Sequence, residues 1–91
     1  MIARRYFISG DVQGVGFRYF VITEIKRIGE VFGFVRNLRD GRVEVYAEAG
    51  DMELEQLEAI LRKGPRGGSV SGVQVEWEMP SGNYHDFRIS Y

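Results

Sequence analysis

Val12-Gln13-Gly14-Val15-Gly16-Phe17-Arg18 is the stretch from which the rest of this chain can be read. It lies directly after an apolar, alternating run and directly before an amphipathic one. Glycine tolerates backbone angles that other residues avoid. A loop with two glycines two apart can therefore turn successive N–H groups inward and form an anion-binding nest. The start of a following helix adds its own unpaired N–H groups and the positive end of its dipole. Arg18 falls in the first turn of that helix and brings a planar, permanently charged fork suited to phosphate. The stretch thus reads as an oxyanion cradle with a guanidinium clamp. The same spacing also fits a plain tight turn with a solvated arginine. Two better-known glycine loops are excluded: a dinucleotide fingerprint needs glycine where Tyr19 stands, and a Walker loop needs a Gly-Lys-Ser/Thr ending.

Upstream, Arg4 to Gly10 alternates as a strand, with Tyr6 and Ile8 on one face and Phe7 on the other. Downstream, Phe17, Phe20, Val21, Ile25 and Ile28 recur at helical spacing, and Gly29 ends that helix. Val31 to Leu38 reads as a second strand, with Val31, Gly33, Val35 and Asn37 on one face. Asp40-Gly41 is a hairpin signal. Arg42 to Glu48 follows as a third strand, with Val43, Val45 and Ala47 facing in and Glu44, Tyr46 and Glu48 facing solvent.

A second helix opens with Asp51 as N-cap, buries Leu54, Leu57, Ile60 and Leu61, and stops at Gly64-Pro65. Arg66 to Gly72 is expected to be a mobile loop. Val73, Val75 and Trp77 alternate in a fourth strand, and Phe87, Ile89 and Tyr91 in a short terminal one. The order βαββαβ with right-handed crossovers predicts an α+β, ferredoxin-like sandwich. Its sheet is four-stranded and antiparallel, in the order 4-1-3-2, with a short extra C-terminal strand. Both helices lie on one face, and Phe17, Val21, Ile25, Leu57 and Leu61 belong to the core.

The 91 residues suit one domain, spanning 1–91. A net charge of −1 gives no field to recruit nucleic acid or anionic membrane. The absence of cysteine excludes disulfides, thiolate catalysis and cysteine metal ligands. With His85 as the single histidine, a histidine-rich metal site is excluded, and no apolar run would span a bilayer. No cofactor, no metal, no nucleic-acid or membrane partner, a monomeric state and a cytoplasmic location are the expectations. The carboxylates are expected on solvated surfaces. Any chemistry must then work by positioning and charge stabilisation.

Val12 to Arg18, taken with Gly33-Phe34-Val35-Arg36-Asn37, resembles the acylphosphatase family. The first run matches that family's phosphate loop residue by residue, and the second resembles its Gly-Trp-Val-Arg-Asn segment with Phe34 in place of tryptophan. Asp40-Gly41, Gly64-Pro65 with Val70 and Val73 behind it, and Phe87-x-Ile89 extend the resemblance along essentially the whole chain. It implies hydrolysis of an acyl phosphate, a small-molecule substrate, to a carboxylate and inorganic phosphate, which as product would also inhibit. The leaving carboxylate has a conjugate-acid pKa of about 4, so it needs no general acid. Val12, Gln13, Gly14, Val15, Gly16, Phe17 and Arg18 are then the phosphate-binding residues. Arg18 is the clamp and Asn37 the residue that orients the attacking water, since a carboxamide both donates and accepts. Taken alone, Asn37 also reads as a pre-turn asparagine bonding its own hairpin.

Two rival readings remain at this point. Phe32-Gly33-Phe34-Val35 resembles the core of the RNA-recognition motif, which shares the βαββαβ order and stacks bases on sheet aromatics. Against it, Glu30 and Val31 stand where that motif has a basic residue and a glycine, and Glu44, Glu48, Glu76 and Glu78 would repel phosphates. The other rival is an acylphosphatase-like accessory domain of a larger assembly, without free-standing activity.

Overall fold

The computed structural model describes residues 1–91. Its elements are β1 (Ile2–Asp11), α1 (Phe17–Ile28), β2 (Phe32–Asn37), β3 (Val43–Ala49), α2 (Asp51–Lys63), β4 (Ser69–Glu78) and β5 (Phe87–Ile89). The strands form one sheet in the order β4-β1-β3-β2-β5. The first four pair antiparallel in the predicted 4-1-3-2 order, and β5 adds to β2 in parallel. A five-stranded ferredoxin-like α+β sandwich results, with the two helices packed side by side on one face.

The helix face of the sheet carries the apolar phase of each strand. Tyr6 and Ile8 on β1, Val43 and Val45 on β3, and Val35 on β2 meet Phe17, Val21 and Ile25 of α1 and Leu54, Leu57 and Leu61 of α2. Fully burying each such side chain contributes about 1.5–3 kcal/mol. Both helices stop at glycines: the N–H of Gly29 bonds the Ile25 carbonyl, and that of Gly64 bonds the Ile60 carbonyl.

Four local expectations are corrected. Asp51 is not the N-cap: Gly50, in extended conformation, takes that position, and Asp51 begins the helix near the Arg4 guanidinium. The acidic residue is used in the first turn, where it faces the positive end of the dipole. Second, Ser69 to Gly72 is not loop but the first part of β4. It bonds to β1 across an irregularity at Ser9/Gly10. Pairing to a buried central strand overrode the loop composition of this segment. Third, Tyr91 lies beyond β5 and is exposed.

The fourth correction concerns the sheet face away from the helices. Glu44 and Glu48 were expected in water with Tyr46, yet they are only 3% and 1% exposed and every residue of β3 is buried. The central strand is covered by its own neighbours. Arg5 and Arg36 both bond the Glu44 carboxylate, and Arg5 also reaches Glu78 at 2.5 Å. The Tyr46 hydroxyl donates to Glu48 at 2.5 Å, and the Ser81 N–H donates to the same carboxylate oxygen at 2.6 Å. Tyr84, from the β4–β5 connection, closes over Phe34 and Tyr46. Buried carboxylates are tolerated because each is hydrogen-bonded and matched in charge or dipole.

Candidate active site

The site is built where β1 hands over to α1. At Gly10 the chain passes so near β4 that an added Cβ would stand 2.1 Å from the Ser69 carbonyl oxygen, so only glycine fits. Beyond it, Gly14 and Gly16 take left-handed angles, φ 76° and 75°. An added Cβ at either would meet open space, so backbone conformation alone selects glycine there. Gly16 is the N-cap of α1, with no side chain capping the first turn and no acidic residue within it.

The consequence is an arc of free donors. Among the 9 backbone hydrogen bonds outside helices and strands, none is donated by an N–H of Val12 to Gly16. The first turn of α1 contributes further N–H groups that have no intrahelical partner. Val12 is only 1% exposed, and Phe17 is buried against Gly64, so the arc is anchored at both ends in the core.

Arg18 is the second residue of α1 and so lies in its first turn. Arg4, Arg5, Arg27, Arg36, Arg42, Arg62 and Arg88 all sit in ion pairs with carboxylates; Arg18, like Arg39 and Arg66, does not. Its guanidinium lies 5.2 Å from the centre of the Tyr91 ring. The neighbouring Tyr19 hydroxyl raises the Tyr91 hydroxyl above the ordinary tyrosine range. No local pattern of residues signals this neighbour of Arg18. Tyr91 arrives only because β5 runs parallel to β2, with the Ser90 N–H bonding the Val35 carbonyl.

Asn37 is the last residue of β2 and pairs with Val43, which pairs with Ile8 of β1. It shares the phase of the buried Gly33 and Val35, so it belongs to the helix face, at the end of the sheet from which the loop departs. The hairpin beside it is bonded by other groups. The Arg42 N–H donates to Asp40 Oδ1, the Leu38 N–H to the Arg42 carbonyl and the Gly41 N–H to the Leu38 carbonyl. The reading of Asn37 as a turn-bonding asparagine therefore fails, and its carboxamide remains available.

Gln13 ties the loop to the β2–β3 hairpin. Its Nε2 donates to the Leu38 carbonyl at 2.7 Å and to the Arg42 carbonyl at 2.9 Å. A loop residue expected to bind phosphate thus spends its side chain fastening the cradle to the hairpin that follows Asn37, leaving its N–H in the arc. Residue type alone could not reveal this, because the partners are carbonyls whose direction depends on the fold. The grooves of the surface lie elsewhere, one between α2 and β4 and one beside β5. A shallow amide cradle is consistent with that, since a small anion is held by directed donors rather than by an apolar cavity. No cluster of three or more His, Cys, Asp or Glu side chains is placed to hold a metal ion.

The fold and this arrangement define a ferredoxin-like domain with unpartnered backbone donors at the first strand–helix junction. A model of the acylphosphatase family matches residues 4–89, nearly the whole chain. An acylphosphatase of Koribacter versatilis is 48% identical over 94% of this chain and 77% of its own length. One from Archaeoglobus fulgidus is 40% identical over the full length of both. The crystal structure of acylphosphatase from Bacillus subtilis superposes with a TM-score of 0.94 at 35% identity, covering 100% of each chain. This chain belongs to the acylphosphatase family, and its activity is that of a hydrolase acting on acyl phosphates.

Proposed function

We propose that the Val12–Arg18 cradle binds the phosphoryl group and that Asn37 orients the water that attacks it. The observation that carries this reading is the arc of unpartnered N–H groups beside the one first-turn arginine that no carboxylate neutralises. The loop amides and the Arg18 fork hold the non-bridging oxygens and offset charge as the P–O bond to the acyl group breaks. The Asn37 carboxamide accepts from the attacking water and donates to a phosphoryl oxygen, placing the water opposite the leaving group. The water oxygen bonds phosphorus, the acyl oxygen leaves as carboxylate, and the water proton passes to a phosphoryl oxygen or to solvent. Inorganic phosphate, the product, competes for the same donors. The scheme asks for no metal or cofactor.

One chain carries every part of the site, so a monomer is sufficient in this reading, and we place it in the cytoplasm. No helix is long and apolar enough to cross a membrane. The RNA-binding alternative loses its platform, since Phe34 and Tyr46 stack on each other at 5.8 Å under Tyr84 rather than facing bases.

The test is Asn37→Ala assayed on benzoyl phosphate. Its kcat should fall by two to three decades, about 3–4 kcal/mol, with inhibition by inorganic phosphate unchanged. A well-folded variant that turned over at the parental rate would remove Asn37 from the mechanism. Phosphate titration should move amide resonances of residues 12–18, and shifts confined to other regions would remove the cradle. Excess chelator should leave the rate unchanged; a chelator-sensitive rate would show that the scheme lacks a component.

A further inference from the structure

The sheet has one long free edge. β4 spans 10 residues and pairs only with β1, so every second N–H and C=O along it points outward. No lysine, arginine or proline guards Ser69–Glu78, though such residues are the usual means of blunting an edge. Its far end is also apolar and open: Trp77 is 78% exposed and Met79 is 88% exposed. Trp77 lies directly across from Arg4 of β1, whose guanidinium covers one face of the indole at 3.9 Å from the ring centre. With its inner face taken, the indole presents its other face toward the free edge.

A groove of about 690 Å³ runs beside this edge, between β4 and α2. Arg4, its side chain only 7% exposed, lies in its floor with a buried Nε that no protein group accepts from. Asp51, Glu55 and Glu58 form the helix wall, and Arg62 is paired to Glu58 at 3.1 Å. Glu55 has no cationic partner. On the opposite face of the strand, Glu78 is engaged by Arg5, while Glu76 is approached only by the Gln74 amide. One uncompensated carboxylate therefore flanks each side of the edge. A second copy of this chain would bring the same acidic walls together, which opposes self-pairing.

We propose that the β4 edge docks an extended, basic segment of another polypeptide by strand addition. The main chain of the segment would continue the sheet. Its apolar side chains would cover the open face of Trp77 and Val75, and its cationic side chains would meet Glu76 on one face and Glu55 on the other. The surface lies on β4, at the opposite side of the sheet from the β2 strand that carries Asn37. The inference does not depend on the catalytic assignment above.

The probe is a capped peptide alternating lysine and valine, titrated into the full chain at low ionic strength. Saturable binding is expected, with new amide-exchange protection at alternate residues of Ser69–Glu78 and a change in Trp77 emission. The double variant Glu55→Lys/Glu76→Lys should lose about tenfold in affinity. It should also accept a peptide alternating glutamate and valine. Both positions are exposed and outside the cradle, so unchanged benzoyl phosphate hydrolysis serves as the folding control. Equal affinity for a proline-interrupted peptide of the same charge would overturn the proposal, because that peptide cannot add a strand. Binding without protection of β4 would do the same. Concentration-dependent β4 protection in the absence of peptide would assign the edge to a second copy instead.

Discussion

At the scale of single residues, the proposed scheme separates charge from position. Arg18 contacts phosphoryl charge in both ground and transition states in the proposed scheme. Arg18→Ala should therefore raise the inhibition constant for inorganic phosphate and also lower kcat. Arg18→Lys should recover little of either, since an ammonium offers a point charge and not a two-pronged fork. Phosphate inhibition constants and kcat for the two variants check this, and full activity of Arg18→Lys would argue for charge alone. Gln13 acts differently, through the two carbonyls its amide holds. Gln13→Glu replaces a donor with a carboxylate aimed at those carbonyls. The expected outcome is a stability loss of about 1–3 kcal/mol by denaturant titration, with activity reduced as the cradle loosens from the hairpin. Gln13→Ala should be milder, because it leaves no repelling charge.

At the scale of elements, the cradle depends on the junction between β1 and α1. Gly16→Ala places a side chain at φ 75°, where the penalty is about 1–2 kcal/mol although space is free. The variant should fold, with weaker phosphate binding as the N–H arc distorts. Gly10→Ala should be worse, since the added methyl would meet the Ser69 carbonyl and break the β1–β4 junction. Comparing thermal midpoints and phosphate affinities of the two separates strain from collision. The reverse order of stability loss would contradict this account. β5 matters at the same scale, since its parallel register carries Tyr91 to Arg18.

At the scale of the whole molecule, the covered outer face gives stability a dependence on pH. Burial works to raise the Glu48 carboxyl, but bonds from Tyr46 and from the Ser81 N–H and hydroxyl outweigh it and hold the group below its ordinary value. The unfolded chain then binds the proton more readily, so stability is full above the usual carboxylate pKa of about 4.3 and is lost as pH falls through the lower folded value. Glu48→Gln should flatten the acid limb of a stability–pH profile, at a cost in stability near neutrality. An unchanged acid limb would place the dependence elsewhere. Tyr6 sets the alkaline side: burial beneath α2 pushes its hydroxyl up to about 12. Its contribution is complete below pH about 10 and is lost as pH rises through the folded value. Tyr6→Phe should remove that limb.

The sequence by itself determined the element types, the strand order of the main sheet and the glycine turn between β1 and α1. Those follow from local causes: alternation in β1 and β3, helical spacing from Phe17 to Ile28, and glycines at Gly14 and Gly16 whose left-handed angles few other residues adopt. Phe17, Val21, Ile25, Leu57 and Leu61 were legible as core for the same reason, and all are buried. The tertiary structure decided what depended on distant neighbours. Alternation told which way Glu44 and Glu48 point but not that Arg5, Arg36 and Ser81 would bond them while Tyr84 covers the rings of Phe34 and Tyr46. Composition marked Ser69–Gly72 as loop, and only the unpaired edge of β1 made it strand. Gln13 was legible as a loop residue, while the carbonyls it bonds, 25 and 29 residues along the chain, exist as partners only once the hairpin has folded against the loop. Asn37 shows the division within one residue. Its chemistry was readable from its type, and its freedom from the hairpin was settled only when Asp40 made the turn's side-chain bond. Short-range preferences are encoded in neighbouring residues, whereas burial and hydrogen-bond partners are properties of surfaces that come together from far apart in the chain.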